Sequence, residues 1–412
     1  MTKGIPRIPD HAPRTINLLD LSGQYRKLRD EINQSIMEVL ESGAYIMGPQ
    51  VRQFEQHLEE FLGVKHAIGV ASGSDALLLS LHALGIGTGD RVIVPTFTFF
   101  ATASAVSRLG ATPVFVDINP DTYNMDLNQV EDLLIKDAKI KAIIPVHIFG
   151  LPVDMQHLMS LAVRHNLYVV EDACQAINAD IATAGTDFIT SDRREINEPA
   201  DSRSSSSDKA LTQKAGTIGH TGCFSFFPSK NLGGYGDGGA IVTNSDEIAE
   251  KIRILRVHGS NPKYYHSIIG YNSRLDTVQA AILDIKLKYL QEWTDKRRNI
   301  AMMYNGAFQD AGLVEAIKTP EILEGHVFHQ YVIEAGQRDR LAQHLKDSGI
   351  GTAIYYPLPL HLQQCFADLG CHVGDLPVSE QACNRVLALP IDPELTREQI
   401  HYIVNTIRKF FE

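Results

Sequence analysis

The residue of this sequence best suited to covalent chemistry is a lysine in a glycine-rich loop. Lys230 follows a short apolar segment at 223–227, and a second apolar segment lies at 240–243. The intervening glycines indicate a backbone that turns sharply or passes close to another group. If this loop removes Lys230 from water, the pKa of its amine falls and the amine becomes a usable nucleophile. A hairpin with a solvated lysine at its tip explains the loop equally well.

Two acids end an apolar segment earlier in the chain. Glu171 and Asp172 follow a pair of valines. An acid at the end of a buried strand costs free energy unless a cation faces it, and a protonated ring nitrogen would be such a cation. Alternatively, Asp172 is the N-cap of a helix. Gln175, three residues later, suits either a second ligand contact or a capping pair.

A polar sequence, Ser72-Gly73-Ser74-Asp75, lies between a predicted strand and a predicted helix. The free amides and the dipole at the start of a helix favour an anion, to which Ser74 would add a hydroxyl. Alternatively, Ser74 or Asp75 only caps the helix.

Phenylalanines at 97, 99 and 100 follow the next predicted strand. They offer either a flat face for a ring or ordinary core packing.

These features together describe one kind of site. A seat for phosphate, an aromatic face, an acid for a ring nitrogen and an amine nucleophile are the parts that a pyridoxal 5′-phosphate site needs. No single feature is specific. Their combination is, because each follows a predicted strand.

The elements that must position these residues alternate along the chain. Between residues 66 and 171, short continuous apolar segments alternate with helical patterns. Such strands are typical of a sheet that helices cover on both faces. We therefore expect an α/β fold with a mainly parallel sheet flanked by helices. Ligand groups should then lie beyond the carboxyl ends of the strands.

The chain is expected to form two domains preceded by a tail. Residues 1–15 are predicted to be the tail, 16–275 a large domain, and 276–412 a smaller α+β domain with strands at 327–335 and 350–356. At about 178–215 the alternation stops, and a polar, serine-rich insertion interrupts the large domain. This segment is either a plain exposed insertion or a lid or partner-binding loop.

Composition excludes several classes of function. The net charge of −11 argues against a nucleic-acid-binding surface. The five cysteines form no metal-type pair. Together with the absence of a signal peptide, they favour a reducing, cytoplasmic setting. No apolar run approaches the roughly 20 residues of a membrane helix.

Several ordered motifs resemble those of one enzyme family. The chain is similar to the DegT/DnrJ/EryC1/StrS nucleotide-sugar aminotransferases of the fold-type I, aspartate-aminotransferase-like superfamily. The resemblance begins near residue 16 and lies in the motifs at 44–49, 72–77, 171–175, 224–233, 236–239 and 270–276. It implies a homodimer with active sites at the subunit interface. The serine-rich insertion is longer than the family's usual loop.

The resemblance also implies roles for individual residues. Lys230 would bind the cofactor covalently, and Asp172 would pair with the pyridinium nitrogen. Gln175 would meet the ring hydroxyl. Phe99 would stack on the ring, with Phe97 as the alternative. The remaining implied contacts are those to the phosphate, from Gly73, Ser74 and Ser225, and those that reach the other subunit's site, from Asn272 and Arg274.

The implied reaction moves an amino group from L-glutamate to a nucleotide-linked keto-hexose. The segments 263–266 and 272–276 resemble those of members that act at C3 of a UDP- or dTDP-sugar, while action at C4 is the alternative. A cofactor-binding sensor without turnover is a second alternative. Sugar dehydratases of the family would carry a histidine in place of Lys230. Candidate substrate contacts, each of which could instead be a core or loop residue, are His147, His258, His329 and Tyr331.

Overall fold

A computed structural model describes residues 15–183 and 211–412. The predicted tail, apart from its last residue, and the serine run of the predicted insertion lie outside the described residues. The helices are α1 Leu21–Ser42, α2 Pro49–Leu62, α3 Gly73–Ala83, α4 Ala101–Arg108, α5 Leu127–Lys136, α6 Met155–Arg164, α7 Asp246–Leu255, α8 Thr277–Leu287, α9 Leu290–Asp310, α10 Arg338–Asp347, α11 Pro377–Arg385 and α12 Arg397–Phe411. The strands are β1 His66–Val70, β2 Arg91–Pro95, β3 Thr112–Val116, β4 Ile140–Ile143, β5 Tyr168–Asp172, β6 Asp180–Thr183, β7 Leu211–Lys214, β8 Thr221–Ser225, β9 Gly239–Thr243, β10 Ile317–Lys318, β11 Tyr331–Ala335 and β12 Val386–Leu389.

A seven-stranded sheet in the order β1-β9-β8-β5-β4-β2-β3 forms the centre of the molecule. Strand β9 runs antiparallel to both of its neighbours, and every other pair is parallel. Alternate residues of β2 enter different cores: Val92 and Val94 pack with α3 and α4, whereas Ile93 packs with α5 and α6. The predicted mainly parallel sheet with helices on both faces is confirmed.

A second, smaller sheet belongs to the C-terminal part of the chain. Strand β11 lies between β10 and β12, and its apolar face packs with α9, α10 and α12. The predicted strand at 350–356 is wrong, because this segment makes only isolated bridges at Ile350 and Ala353. Strand β12, which the sequence reading missed, takes the place beside β11.

Helix α8 determines where the two parts divide. Its residues Leu283 and Leu287 share a core with Phe54 and Leu58 of α2. On another side, Ile282 packs against α1. The sequence reading places the domain boundary at 275, before α8, whereas this packing favours a division after it. A helix that is apolar on nearly all sides cannot be assigned to one domain by its own pattern.

Asp117 links α11, in the C-terminal part of the chain, to the end of β3 in the large sheet. It lies just after β3 and is 1% exposed. Its carboxylate accepts hydrogen bonds from the backbone amides of Val378 and Ser379, at 2.9 and 2.8 Å, and from the Ser379 hydroxyl. These are the first amides of α11, whose donors would otherwise have no partner within the helix.

We expect Asp117→Asn to lower the free energy of unfolding by about 2 kcal/mol, because an amide nitrogen would face buried donors. Thermal unfolding of the whole chain measures the change. Asp121→Asn is the matched control, since Asp121 is exposed and pairs only with Lys318 at the surface. Equal shifts in the two variants would contradict the anchoring role of Asp117.

Candidate active site

A cavity of about 590 Å³ opens at the carboxyl ends of the parallel strands. This volume is within the usual range for a small-molecule site. The sequence-predicted residues that line it are Gly73, Ser74, Phe99, Asp172, Gln175, Ser225, Lys230 and His329. Parallel strands place their carboxyl ends at one edge of the sheet, so residues far apart in the chain meet there.

The start of α3 forms one wall of the cavity. Ser72, and neither Ser74 nor Asp75, is the N-cap: its side-chain oxygen accepts a hydrogen bond from the Asp75 amide at 3.1 Å. The Ser74 hydroxyl is therefore not used for capping. An anion at this position would meet the positive end of the helix dipole together with a free hydroxyl.

Gly73 allows this wall to approach the end of β8. A Cβ atom at Gly73 would lie 2.6 Å from the Cβ of Ser225 and 3.0 Å from the Sγ of Cys174. Gly239 has a similar role, because a Cβ there would lie 2.5 Å from the carbonyl oxygen of Ser72. The two glycines thus bring Ser74 and Ser225 into the same small seat, which suits a phosphate group.

Asp172 ends β5 and is 6% exposed. Its Oδ2 atom accepts a hydrogen bond from the Thr102 hydroxyl at 2.8 Å, and its Oδ1 atom accepts one from the Cys174 amide at 3.3 Å. Asp172 is not the N-cap of any described helix. The hydroxyl of Thr102, a residue that the sequence analysis missed, lies 3.2 Å from the hydroxyl of Thr98 in the loop before α4.

Lys230 lies in the turn that follows β8. It is half-buried, its backbone amide donates to the Phe227 carbonyl at 2.8 Å, and it lines the cavity. Burial lowers the pKa of Lys230, while Cys174 and Asp172 nearby act in the opposite direction. Lys230 is therefore not a solvated residue at the tip of a hairpin. A larger share of its amine is unprotonated, and hence nucleophilic, than in an ordinary lysine.

Gln175 is held in a fixed orientation. Its Oε1 atom accepts a hydrogen bond from the Phe149 amide at 2.8 Å, and its Nε2 atom donates to the hydroxyl of Tyr356 at 3.1 Å. Burial raises the pKa of Tyr356. Tyr355 and Tyr356 also line the cavity, although the sequence reading placed them in a strand.

The aromatic residues after β2 separate into two roles. Phe99 is 57% exposed, lines the cavity and lies 6.4 Å from the ring of Tyr356. Phe97 is 1% exposed and packs among Tyr123 and Phe149 in the core. The flat face available to a ligand ring therefore belongs to Phe99.

Only one of the candidate substrate histidines reaches the cavity. His329 is 4% exposed, and its Nδ1 atom lies 3.1 Å from the Oδ1 atom of Asn231. Burial lowers the pKa of His329 well below its usual range, with Lys230 and Arg297 acting in the same direction. His329 is therefore a neutral imidazole at the wall of the site.

His147 belongs to a structural anchor outside the cavity. Its Nδ1 atom accepts a hydrogen bond from the Val153 amide at 3.0 Å, so its Nε2 atom donates to Glu171 at 3.0 Å. The Glu171 carboxylate also accepts hydrogen bonds from the backbone amides of residues 216, 218 and 219. This fully buried pair fixes the chain where it returns toward β8.

The other predicted residues do not line the cavity in this single chain. Tyr331 is fully buried and stacks on Tyr304 with 4.6 Å between the ring centroids. His258 and Asn272 are exposed, and Arg274 is half-buried.

The described residues contain no cluster of His, Cys, Asp and Glu that could hold a metal ion. None of the described helices has the length and apolar character of a membrane span.

Comparisons with known proteins agree on one family. The family model of the DegT/DnrJ/EryC1/StrS aminotransferases matches residues 26–408. A Geobacillus stearothermophilus protein named pleiotropic regulatory protein is 46% identical over 398 residues, which are 96% of this chain and 98% of that protein. The UDP-N-acetyl-3-dehydro-alpha-D-glucosamine 3-aminotransferase of Acidithiobacillus ferrooxidans is 44% identical over 396 residues, covering 96% of this chain and 97% of that enzyme.

A solved structure is similar over the same length. It is DesV of S. venezuelae in complex with a ketimine intermediate, and it superposes with a TM-score of 0.86 at 39% identity. The similarity covers 97% of this chain and 99% of that one. The fold and the sequence motifs therefore lead to the same group of proteins.

We expect Lys230 to react with an acylating reagent at lower pH than exposed lysines do, because burial lowers the pKa of its amine. The free-amine fraction rises as pH rises through the pKa, so the onset of its labelling shifts toward neutral pH. Pulse labelling with acetic anhydride over a pH series, read by peptide mass spectrometry, measures this onset. Labelling of Lys230 in step with exposed lysines such as Lys139 would contradict the interpretation.

Proposed function

Because this chain belongs to the DegT/DnrJ/EryC1/StrS aminotransferase family, we propose that it transfers an amino group to C3 of a nucleotide-linked keto-hexose. Nucleotide-sugar amination is the activity of its similar relatives. Action at C3 is supported by the 44% identical relative, whose name specifies a 3-aminotransferase. The observation that carries the proposal is one cavity that holds Lys230 with a lowered pKa, the Asp172 carboxylate and an anion seat.

The residues of the cavity fit pyridoxal 5′-phosphate, the cofactor of this family. When bound, this cofactor supplies an electron sink for a carbanion next to nitrogen. We assign its phosphate to Ser74, Ser225 and the start of α3, where a Cβ at Gly73 would close the seat. We assign its ring to the face of Phe99 and its ring hydroxyl to Gln175.

Two side chains of this protein control protons in the proposed reaction. The Asp172 carboxylate, held by Thr102, keeps a proton on the ring nitrogen by ion pairing. The Lys230 amine, once released, would take the proton from the α-carbon of the amino donor and deliver it to the cofactor carbon that carries the nitrogen; with the keto sugar it would move a proton in the reverse direction. Its lowered pKa gives a larger share of free base than an ordinary lysine has. The neutral His329 donates its Nδ1–H to Asn231 and has its Nε2 atom 3.3 Å from the Gln330 amide, so it forms part of the cavity wall without adding charge.

L-Glutamate is the proposed amino donor, and a homodimer is the proposed working unit. Among the described lining residues, Lys230 is the cation, and it stands against Asp172 and Asp237. A nucleotide diphosphate and a dicarboxylate need more positive charge than this. Arg274 and Asn272 of a second copy would supply polar contacts at the interface. Phe227, 53% exposed near the cavity, is an apolar surface that such a partner would cover.

The cytoplasm is the proposed location. All five cysteines are free thiols in the structure. Unpaired thiols suit a reducing compartment, where disulfides rarely form. The nucleotide sugars proposed as substrates also carry charges that keep them in aqueous surroundings.

A regulatory protein that binds the cofactor without turnover is the second candidate function. It is favoured by the name of the 46% identical relative, a pleiotropic regulatory protein. The retained Lys230 and Asp172 favour catalysis instead, because binding alone requires neither a mobile proton nor a protonated ring nitrogen. A 4-aminotransferase remains the alternative regiochemistry.

The proposed function is tested by offering UDP- and dTDP-linked 3-keto and 4-keto hexoses with L-glutamate. We expect a 3-amino sugar, identified by NMR. Lys230→Ala should lower kcat more than about a thousandfold, since it removes both the nucleophile and the proton carrier. A 4-amino product would overturn the regiochemistry. Absence of turnover with every keto sugar and amino donor would favour the regulatory function.

We expect Thr102→Val to lower kcat about tenfold with little change in KM, because Asp172 loses the hydroxyl that orients its carboxylate. Valine keeps the shape of threonine, and Thr102→Ser should restore most of the activity. The absorption spectrum of the bound cofactor should shift with the loss of the oriented carboxylate. An unchanged spectrum and an unchanged kcat would exclude this positioning role.

A further inference from the structure

A buried lysine outside the cavity has no part in the proposed reaction. Lys286 lies on α8 and is 1% exposed. Its amine donates a hydrogen bond to the carbonyl of Gly233 at 2.5 Å and lies 4.8 Å from the ring centroid of Tyr235. Within the described residues, no carboxylate forms an ion pair with it. Burial lowers the pKa of Lys286 to about 8, so it is mostly charged at neutral pH.

A buried, unpaired charge is costly, so its position needs an explanation. Holding the loop in place does not require a charge. Gln279, seven residues earlier on α8, accepts a hydrogen bond from the Tyr235 amide at 2.7 Å and thereby holds the same loop with a neutral group. The positive charge of Lys286 therefore calls for a target whose hydrogen bonds a cation strengthens more than a neutral donor does.

Hydrogen bonds lead from Lys286 to the wall of the cavity. Lys286 donates to the carbonyl of Gly233, and the other end of that peptide group, the Gly234 amide, donates to the carbonyl of Phe226 at 2.8 Å. The other end of this second peptide group, the Phe227 amide, donates to the hydroxyl oxygen of Ser225 at 3.4 Å. The chain thus ends at a residue of the anion seat.

Every hydrogen bond in this chain points in the same direction. A cation at its start draws electron density through each peptide group and makes the next N–H a stronger donor. At the end, the Ser225 oxygen accepts a hydrogen bond, which leaves its own O–H free to donate as a more acidic group. Charge-assisted hydrogen bonds are stronger than neutral ones, and a phosphate is the acceptor that benefits most.

We propose that Lys286 is a positioning residue for the anion seat: its ammonium group aligns and polarises two successive peptide groups that end at Ser225, and so strengthens the binding of a phosphate. The same contacts close the turn that carries Lys230, because Gly233 packs against the Pro228 carbonyl. Lys286 thus serves both the phosphate and the nucleophile from outside the cavity.

The test compares two ligands that differ only in the phosphate. Dissociation constants of pyridoxal phosphate and of pyridoxal are measured by absorbance or fluorescence titration, without any sugar or amino donor. Both aldehydes react with Lys230, and the internal hemiacetal of pyridoxal forms equally with either protein, so the change in the affinity ratio between wild type and variant isolates the phosphate. Lys286→Met should reduce the preference for pyridoxal phosphate about fivefold to tenfold. Gln279→Met, which loosens the same loop without removing a charge, should weaken both ligands equally.

An unchanged affinity ratio in Lys286→Met would overturn the proposal and leave Lys286 as a structural group. The proposal rests on the proposed function only for the identity of the cofactor. Because no sugar is present, a wrong assignment of the substrate leaves this test unaffected. If neither aldehyde binds the wild-type protein, it is the cofactor assignment that fails.

The wild-type protein provides a second arm in case Lys286→Met does not fold. The phosphate preference should fall as pH rises from 7 to 9.5, because Lys286 loses its charge near pH 8, while the phosphate is already fully ionised. Other titratable groups lie near Lys286. The pKa of Tyr235 is raised to about 12, which is above this pH range. Tyr25 packs edge to face on Tyr235, and the Asp284 carboxylate is hydrogen-bonded to His57. A constant preference over this range would also overturn the proposal.

Discussion

The parallel pairing of β5 with β8 is the interaction on which the candidate site depends. It places Asp172 opposite Cys223, although the segment between them contains the whole serine-rich insertion. The acid and the turn that carries Lys230 therefore leave the sheet at the same edge. Helix α3 completes the site because Gly73 lets its first turn approach Ser225. A change of strand order would separate these groups without altering any one of them.

Buried polar anchors maintain this pairing. Glu171 receives three backbone amides from residues 216–219 and a hydrogen bond from His147, so the chain returns to β8 in a fixed position. Asp117 fixes α11 against the end of β3. Such groups stabilise a fold only when all their hydrogen bonds are satisfied.

Burial has opposite consequences for the two lysines of this region. Lys230 faces the cavity, and its lowered pKa suits the nucleophile and proton carrier that we propose. Lys286 faces a backbone carbonyl behind the same turn, and its proposed role depends on its positive charge. In these proposals Lys230 acts by losing a proton, whereas Lys286 acts by keeping one. The turn that carries Lys230 has no room for side chains at two of its glycines: a Cβ at Gly233 would meet the backbone of Pro228, and a Cβ at Gly234 would meet the side chain of Gln279.

Local sequence patterns are enough to predict the secondary-structure elements and the residue types of the site. The alternation of apolar segments and helical patterns between residues 66 and 171 corresponds to strands β1 to β5 and helices α3 to α6, because periodicity is a local property. Likewise, Lys230, Asp172 and Ser74 could be selected because each follows an apolar strand.

Which residues contact one another depends on the tertiary fold. Thr102 bonds Asp172 from 70 positions away, and Tyr356 bonds Gln175 from 181 positions away. It also decided that Phe99 and not Phe97 faces the cavity, and that 350–356 forms no strand. Such contacts depend on strand order and on packing between distant segments, which no local pattern encodes.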